Sequence, residues 1–145
     1  MKNILILYYS RTGNTQKMAE AVAEGARAVQ RVDVEVKHYA TPEELADFEA
    51  VVVGVPTYHH EMTIDMKKLF EEATVKNIIL KDKVGAAFGS YGWSGEAPQL
   101  VLEIMKNKFG MDIIESPLLI KYAPDQSGLE KCREFGRKVA ERRMA

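Results

Sequence analysis

Short, densely apolar runs alternate along this chain with longer stretches whose apolar positions recur at helical spacing. The runs predict strands over residues 3–9, 32–38, 50–55, 83–89 and 112–120. Ile4-Leu5-Ile6-Leu7 and Val51-Val52-Val53 are apolar without interruption, as strands covered on both faces must be. Val32, Val34 and Val36 instead alternate with Asp33, Glu35 and Lys37, the pattern of a half-exposed edge strand. Helical stripes run through Met18, Val22, Ala26 and Val29, through Met62, Met66, Leu69 and Ala73, and through Ala97, Leu100, Val101, Ile104 and Met105. A last helix is expected after Ser127 or Gly128, and Thr41-Pro42-Glu43-Glu44 predicts a short helical turn with Thr41 as cap.

Strand and helix in strict alternation mean a parallel sheet with helices on both faces. Five strands with the second at the edge suit the doubly wound order 2-1-3-4-5, in which a ligand crevice opens outside strands 1 and 3. The predicted fold is therefore an α/β, doubly wound, five-stranded parallel sheet. With 145 residues, 46% of them hydrophobic, the chain is expected to form one domain over residues 1–145. A formal net charge of −1 argues against a nucleic-acid partner, and no apolar run is long enough to span a bilayer. A lone cysteine, Cys132, fits a reducing, cytoplasmic setting. It falls on one helical stripe with Leu129, Gly136 and Val139, which predicts burial.

The loops after strands 1, 3 and 4 carry the chemistry. In the first, Ser10-Arg11-Thr12-Gly13-Asn14-Thr15 puts hydroxyls and exposed amides where a strand turns into a helix, a setting that attracts a phosphate. It lacks the lysine of nucleotide triphosphatase loops and the three glycines of dinucleotide-binding turns, so a phosphate monoester is favoured. The same residue types also make ordinary caps and turns, so the loop decides nothing by itself. The second loop, Pro56-Thr57-Tyr58-His59-His60-Glu61, and the third, Gly89 to Gly95, hold the only tryptophan and two of the three histidines. Aromatic rings that can stack, beside glycines that let backbone amides approach, suit a flat heterocycle. A phosphate at one end and a flat ring at the other describe flavin mononucleotide (FMN).

On these residues the chain resembles the flavodoxin family. Tyr8 to Thr15 looks like its phosphate loop, and Asp47 to Tyr58 like its third strand and following loop. Ala87-Phe88-Gly89-Ser90-Tyr91-Gly92-Trp93-Ser94-Gly95-Glu96-Ala97 is similar to the flavin loop in the flavodoxin module of A-type flavoproteins (flavodiiron proteins). The resemblance covers nearly the whole chain and suits the short-chain form. It implies that Ser10, Arg11, Thr12, Gly13, Asn14 and Thr15 surround the phosphate. Pro56, Thr57, Tyr58 and His59 would line one side of the ring system, with Ser90, Tyr91, Gly92, Trp93 and Gly95 on the other. It further implies an electron carrier between redox partner proteins, a reductase and an acceptor, as monomer or weak dimer. The metal-binding domain of A-type flavoproteins has no room here, so diiron chemistry would need another polypeptide.

Two features depart from the family. Flavodoxins are usually far more acidic, so the reduced cofactor should meet less repulsion here, with Lys67, Lys68 or a protonated His59 as candidate stabilising charges. Many flavodoxins also flip a glycine peptide beside the flavin, but Tyr58-His59-His60 holds no glycine and would need positive φ at a residue with a side chain. Among competing functions, an FMN-dependent quinone or small-molecule oxidoreductase of the same fold is the alternative. A signalling receiver domain fails for want of acids after strands 1 and 3. A low-molecular-weight tyrosine phosphatase fails because its nucleophile would belong in the first loop, not at Cys132.

Overall fold

The computed structural model describes residues 2–10, 12–57 and 60–144. Its elements are β1 (Lys2–Tyr8), α1 (Asn14–Arg27), β2 (Val34–Lys37), α2 (Pro42–Leu45), β3 (Phe48–Gly54), α3 (Ile64–Val75), β4 (Val84–Tyr91), α4 (Glu96–Asn107), β5 (Asp112–Ile113), β6 (Leu118–Lys121) and α5 (Gln126–Met144). The strands pair in parallel in the order β2-β1-β3-β4-β5, with β6 also on β4. This is the doubly wound order expected, with β2 at the edge and every β2 residue half-buried.

Alternation along the central strands feeds two cores. Leu5, Leu7, Val51, Val53 and Val55 face Met66, Leu69, Phe70, Val101 and Met105 of α3 and α4. Ile4, Ile6, Ala50, Val52, Ala86 and Phe88 face Met18, Val22, Cys132 and Val139 of α1 and α5. The uninterrupted apolar runs thus reflect burial of both sheet faces, as a parallel sheet requires. The α1–α5 pair approaches closely enough that a Cβ at Gly25 would overlap the Arg133 main chain and one at Gly136 the Val22 carbonyl. The short α2 carries the full capping box: Thr41 Oγ1 accepts from the Glu44 amide, and the Glu44 carboxylate accepts from the Thr41 amide.

The ends of β1 to β4 shift by one or two residues from expectation, and two further boundaries differ for reasons the structure shows. The strand expected over 112–120 is broken: Gly85 pairs with Ile113 but Phe88 pairs with Leu118, so the edge strand uses two more residues than β4 over the same length. Polar Glu115-Ser116 before Pro117, which has no amide proton, supplies the extruded segment. The last helix starts ahead of Ser127, at Gln126, because the Asp125 side chain accepts from the Gly128 amide at 2.7 Å and caps it.

Candidate functional site

The loops after β1, β3 and β4 emerge side by side at the carboxyl end of the sheet, since Tyr8 pairs with Gly54 and Gly54 with Phe88. The loop after β1 closes on itself through the Ser10 hydroxyl oxygen, which accepts from the Gly13 amide at 3.0 Å. Gly13 is the N-cap of α1 at φ 90, a left-handed conformation that costs a residue with a Cβ on the order of 1–2 kcal/mol. A serine or aspartate cap would satisfy the first-turn amides with its own oxygen. Gly13 has none, and no side chain caps this helix end. The first backbone bond of the helix comes from Lys17 to the Gly13 carbonyl, so the amides before it remain for an anion, with the helix dipole behind them.

A cleft of about 200 Å³ opens beside this turn, lined by Thr12, Asn14, Pro56, Thr57, Ser90, Tyr91, Gly92 and Tyr122. Beneath it, Thr15 is buried and its Oγ1 lies 3.1 Å from Ser90 Oγ, joining α1 to the end of β4. One hydroxyl proton is spent in that bond and the other is left to direct elsewhere. Thr57 Oγ1 accepts from the Ala97 amide at 3.0 Å, tying the loop after β3 to the start of α4.

Of the residues the sequence reading proposed, Thr12, Asn14, Pro56, Thr57, Ser90, Tyr91 and Gly92 line the cleft. Ser10, Gly13 and Thr15 shape the turn behind it through the bonds just described. Trp93 stands at the rim, 88% exposed, and Gly95 caps α4, where a Cβ would lie 3.3 Å from both Leu119 and Tyr91. Arg11, Tyr58 and His59 lie outside the described residues. The candidate lysines do not line the cleft. Lys67 pairs with Glu61 at 2.9 Å, and Lys68 borders a separate cavity with Tyr9, His38 and Tyr39.

Tyr122 escaped the sequence reading, as did the contact between His60 and Glu96. Tyr122 lines the cleft at φ 59, its amide donating to the Tyr91 carbonyl at 2.7 Å. Its position just after the last strand and before Pro124-Asp125 was the only signal. His60 sits at φ 65. Its Nδ1 lies 2.9 Å from the Glu96 carboxylate and its ring 5.6 Å from that of Trp93. The His60 imidazole and the Ser94 hydroxyl hold the Glu96 carboxyl below its ordinary value.

The uncapped amides, the left-handed glycine and the aromatic cleft fit a phosphate-bearing planar cofactor on a flavodoxin-like scaffold. Comparison with known proteins gives the same class. The Flavodoxin family model matches residues 6–136, and the chain belongs to the flavodoxin family. It is 34% identical over 97% of its length to the type A flavoprotein of Rhodobacter capsulatus, covering 33% of that protein. It is 32% identical over 97% of its length to a flavodoxin of Aquifex aeolicus, covering 86% of that one. Among solved structures, a flavodoxin from the domain Archaea superposes with TM-score 0.89 and 37% identity, over 99% of each chain. An uncharacterized protein of Methanocaldococcus jannaschii is 36% identical, and the chain spans only 36% of it, as it spans about a third of the Rhodobacter relative. Flavodoxins bind FMN, and no described helix is long and apolar enough to cross a membrane.

Proposed function

We propose that this chain binds FMN at the cleft between the loops after β1, β3 and β4 and works as an electron carrier between redox partner proteins. The observation that carries the reading is the helix end at Gly13: donors without a side-chain cap open beside a cleft walled by Thr57, Tyr91 and Tyr122. When bound, FMN supplies the one-electron redox chemistry.

The chain's own residues bind and orient. The first-turn amides of α1, with Thr12 and Asn14, would hold the phosphate. Tyr91, Trp93 and Tyr122 would shield the ring faces from water, and main-chain groups around Gly92 would reach the ring edge, since only the Tyr122 ring, at 3.7 Å, would meet a Cβ there. No side chain need exchange a proton with a substrate, because the partners bring and take only electrons. The buried Thr15–Ser90 bond holds the phosphate turn at a set distance from the third loop. We place the protein in the cytoplasm, as a monomer or weak dimer and as a single domain.

The carrier reading is tested by adding reduced nicotinamide nucleotides to the FMN-loaded protein without oxygen. Flavin absorbance that persists until a separate reductase is added supports the carrier. Immediate bleaching by the nucleotide alone contradicts it and favours an FMN-dependent oxidoreductase.

A further inference from the structure

Among the described residues, no acid, lysine, arginine or histidine lines the cleft. Two acids near its rim already have partners: Glu96 is held by His60 and Ser94, and the Asp125 carboxylate accepts from the Gly128 amide. Lys121 differs. It ends β6, in register with Tyr91 of β4, and its Nζ stands 5.3 Å from the centroid of the Tyr122 ring, within cation–π range. No carboxylate pairs with it among the described residues. Tyr122 in turn walls the cleft. Its ring would lie 3.7 Å from a Cβ at Gly92, and its amide donates to the Tyr91 carbonyl at 2.7 Å. The strand sets where Lys121 points: Leu118 and Ile120 pack on the α1–α5 core, so Leu119 and Lys121 project from the other sheet face, where Leu119 approaches Gly95 at the start of α4.

We propose that Lys121, seated on the Tyr122 ring, is the charge that raises the cleft's preference for reduced over oxidised FMN, with Tyr122 as its positioning residue. The inference rests on the FMN reading above and deepens it.

In an uncharged cleft a single charge on one wall counts, because no neighbouring ion offsets it and the walls exclude part of the water that would screen it. On reduction the flavin ring system takes up two electrons and one proton and so gains one negative charge. The electrons come from a partner reductase and the proton from solvent. The phosphate keeps its charge throughout. A cation that acts on the ring therefore tightens binding of the reduced form, whereas one that acts on the phosphate tightens both forms equally.

The test is an anaerobic dithionite titration of the FMN-loaded protein against a reference dye at constant pH, with FMN affinity measured in both redox states. It compares the native chain with Lys121→Gln, Lys121→Arg, and Tyr122→Leu with and without Lys121→Gln. Lys121→Gln should lower the preference for the reduced form about two- to tenfold, the range of one charge on a partly screened wall, which is a fall in midpoint of roughly 9 to 30 mV. The shift should shrink in about 1 M potassium chloride, where screening sets in within about 3 Å. Lys121→Arg should keep the native midpoint, since charge and not shape is at work. Without the Tyr122 ring, Lys121→Gln should move the midpoint less than it does in the native chain. A midpoint that Lys121→Gln leaves in place overturns the inference, as does an equal loss of affinity in both redox states, which would put Lys121 on the phosphate. A shift that Lys121→Arg shares marks a structural effect and overturns it too. An undiminished shift in Tyr122→Leu overturns the part given to Tyr122. A native chain that folds yet takes up no FMN removes the FMN reading and this inference with it, whereas a yellow chain whose midpoint ignores Lys121→Gln removes this inference alone.

Discussion

Thr15 and Ser90, 75 positions apart in sequence, meet in the buried layer under the cleft with their hydroxyl oxygens 3.1 Å apart. This bond joins the phosphate turn to the third loop. Ser90→Ala should cost about 1–3 kcal/mol, because the Thr15 hydroxyl is left buried without a partner. Thr15→Val with Ser90→Ala should cost less than the sum of the single changes, a coupling that a double-mutant cycle in urea will read. FMN affinity should fall in each single variant.

Gly13 tests the turn itself. A Cβ there meets nothing within 4 Å, so Gly13→Ala isolates the backbone term at φ 90. Stability should fall by about 1–2 kcal/mol, and Gly13→Asn should recover part of it, since asparagine visits this region more readily. A loss of FMN affinity larger than the loss of stability would show that the amides are displaced from the phosphate.

Trp93 is 88% exposed, so Trp93→Ala should leave folding stability within about 0.5 kcal/mol. If it shields the ring, FMN affinity falls about two- to tenfold, the range of an aromatic contact. Parallel thermal melts and flavin titrations separate the two effects.

Cys132 is fully buried, and burial pushes its thiol from 9.0 up to about 11. The unfolded chain therefore ionises first as the solution turns alkaline, so stability is unaffected below pH 9 and falls between the two values. The loss should reach at most about 3 kcal/mol. Cys132→Ala should flatten that limb of the stability–pH curve, and a disulfide reagent should label the native thiol only through unfolding.

Much of this was legible in the sequence because parallel sheets write themselves plainly. Ile4 to Leu7 and Val51 to Val53 read as central strands because both faces are buried, and Val34 and Val36 read as an edge because one face is not. What stayed hidden depends on relations between distant residues. Nothing local to Thr15 points to Ser90. Nothing local to His60 points to Glu96, 36 positions on, whose carboxylate lies 2.9 Å from its Nδ1. Lys67 looked available until Glu61, six residues earlier, was found to hold it. The break between β5 and β6 follows from pairing to β4, which residues 112–120 do not encode by themselves.

The most direct measurement is calorimetric titration of the folded, flavin-free chain with FMN, alongside riboflavin. The account predicts one site per chain for FMN and far weaker binding of riboflavin, which lacks the phosphate that the Gly13 turn receives. Folded protein that gives no heat with FMN, or that binds riboflavin equally well, would contradict it.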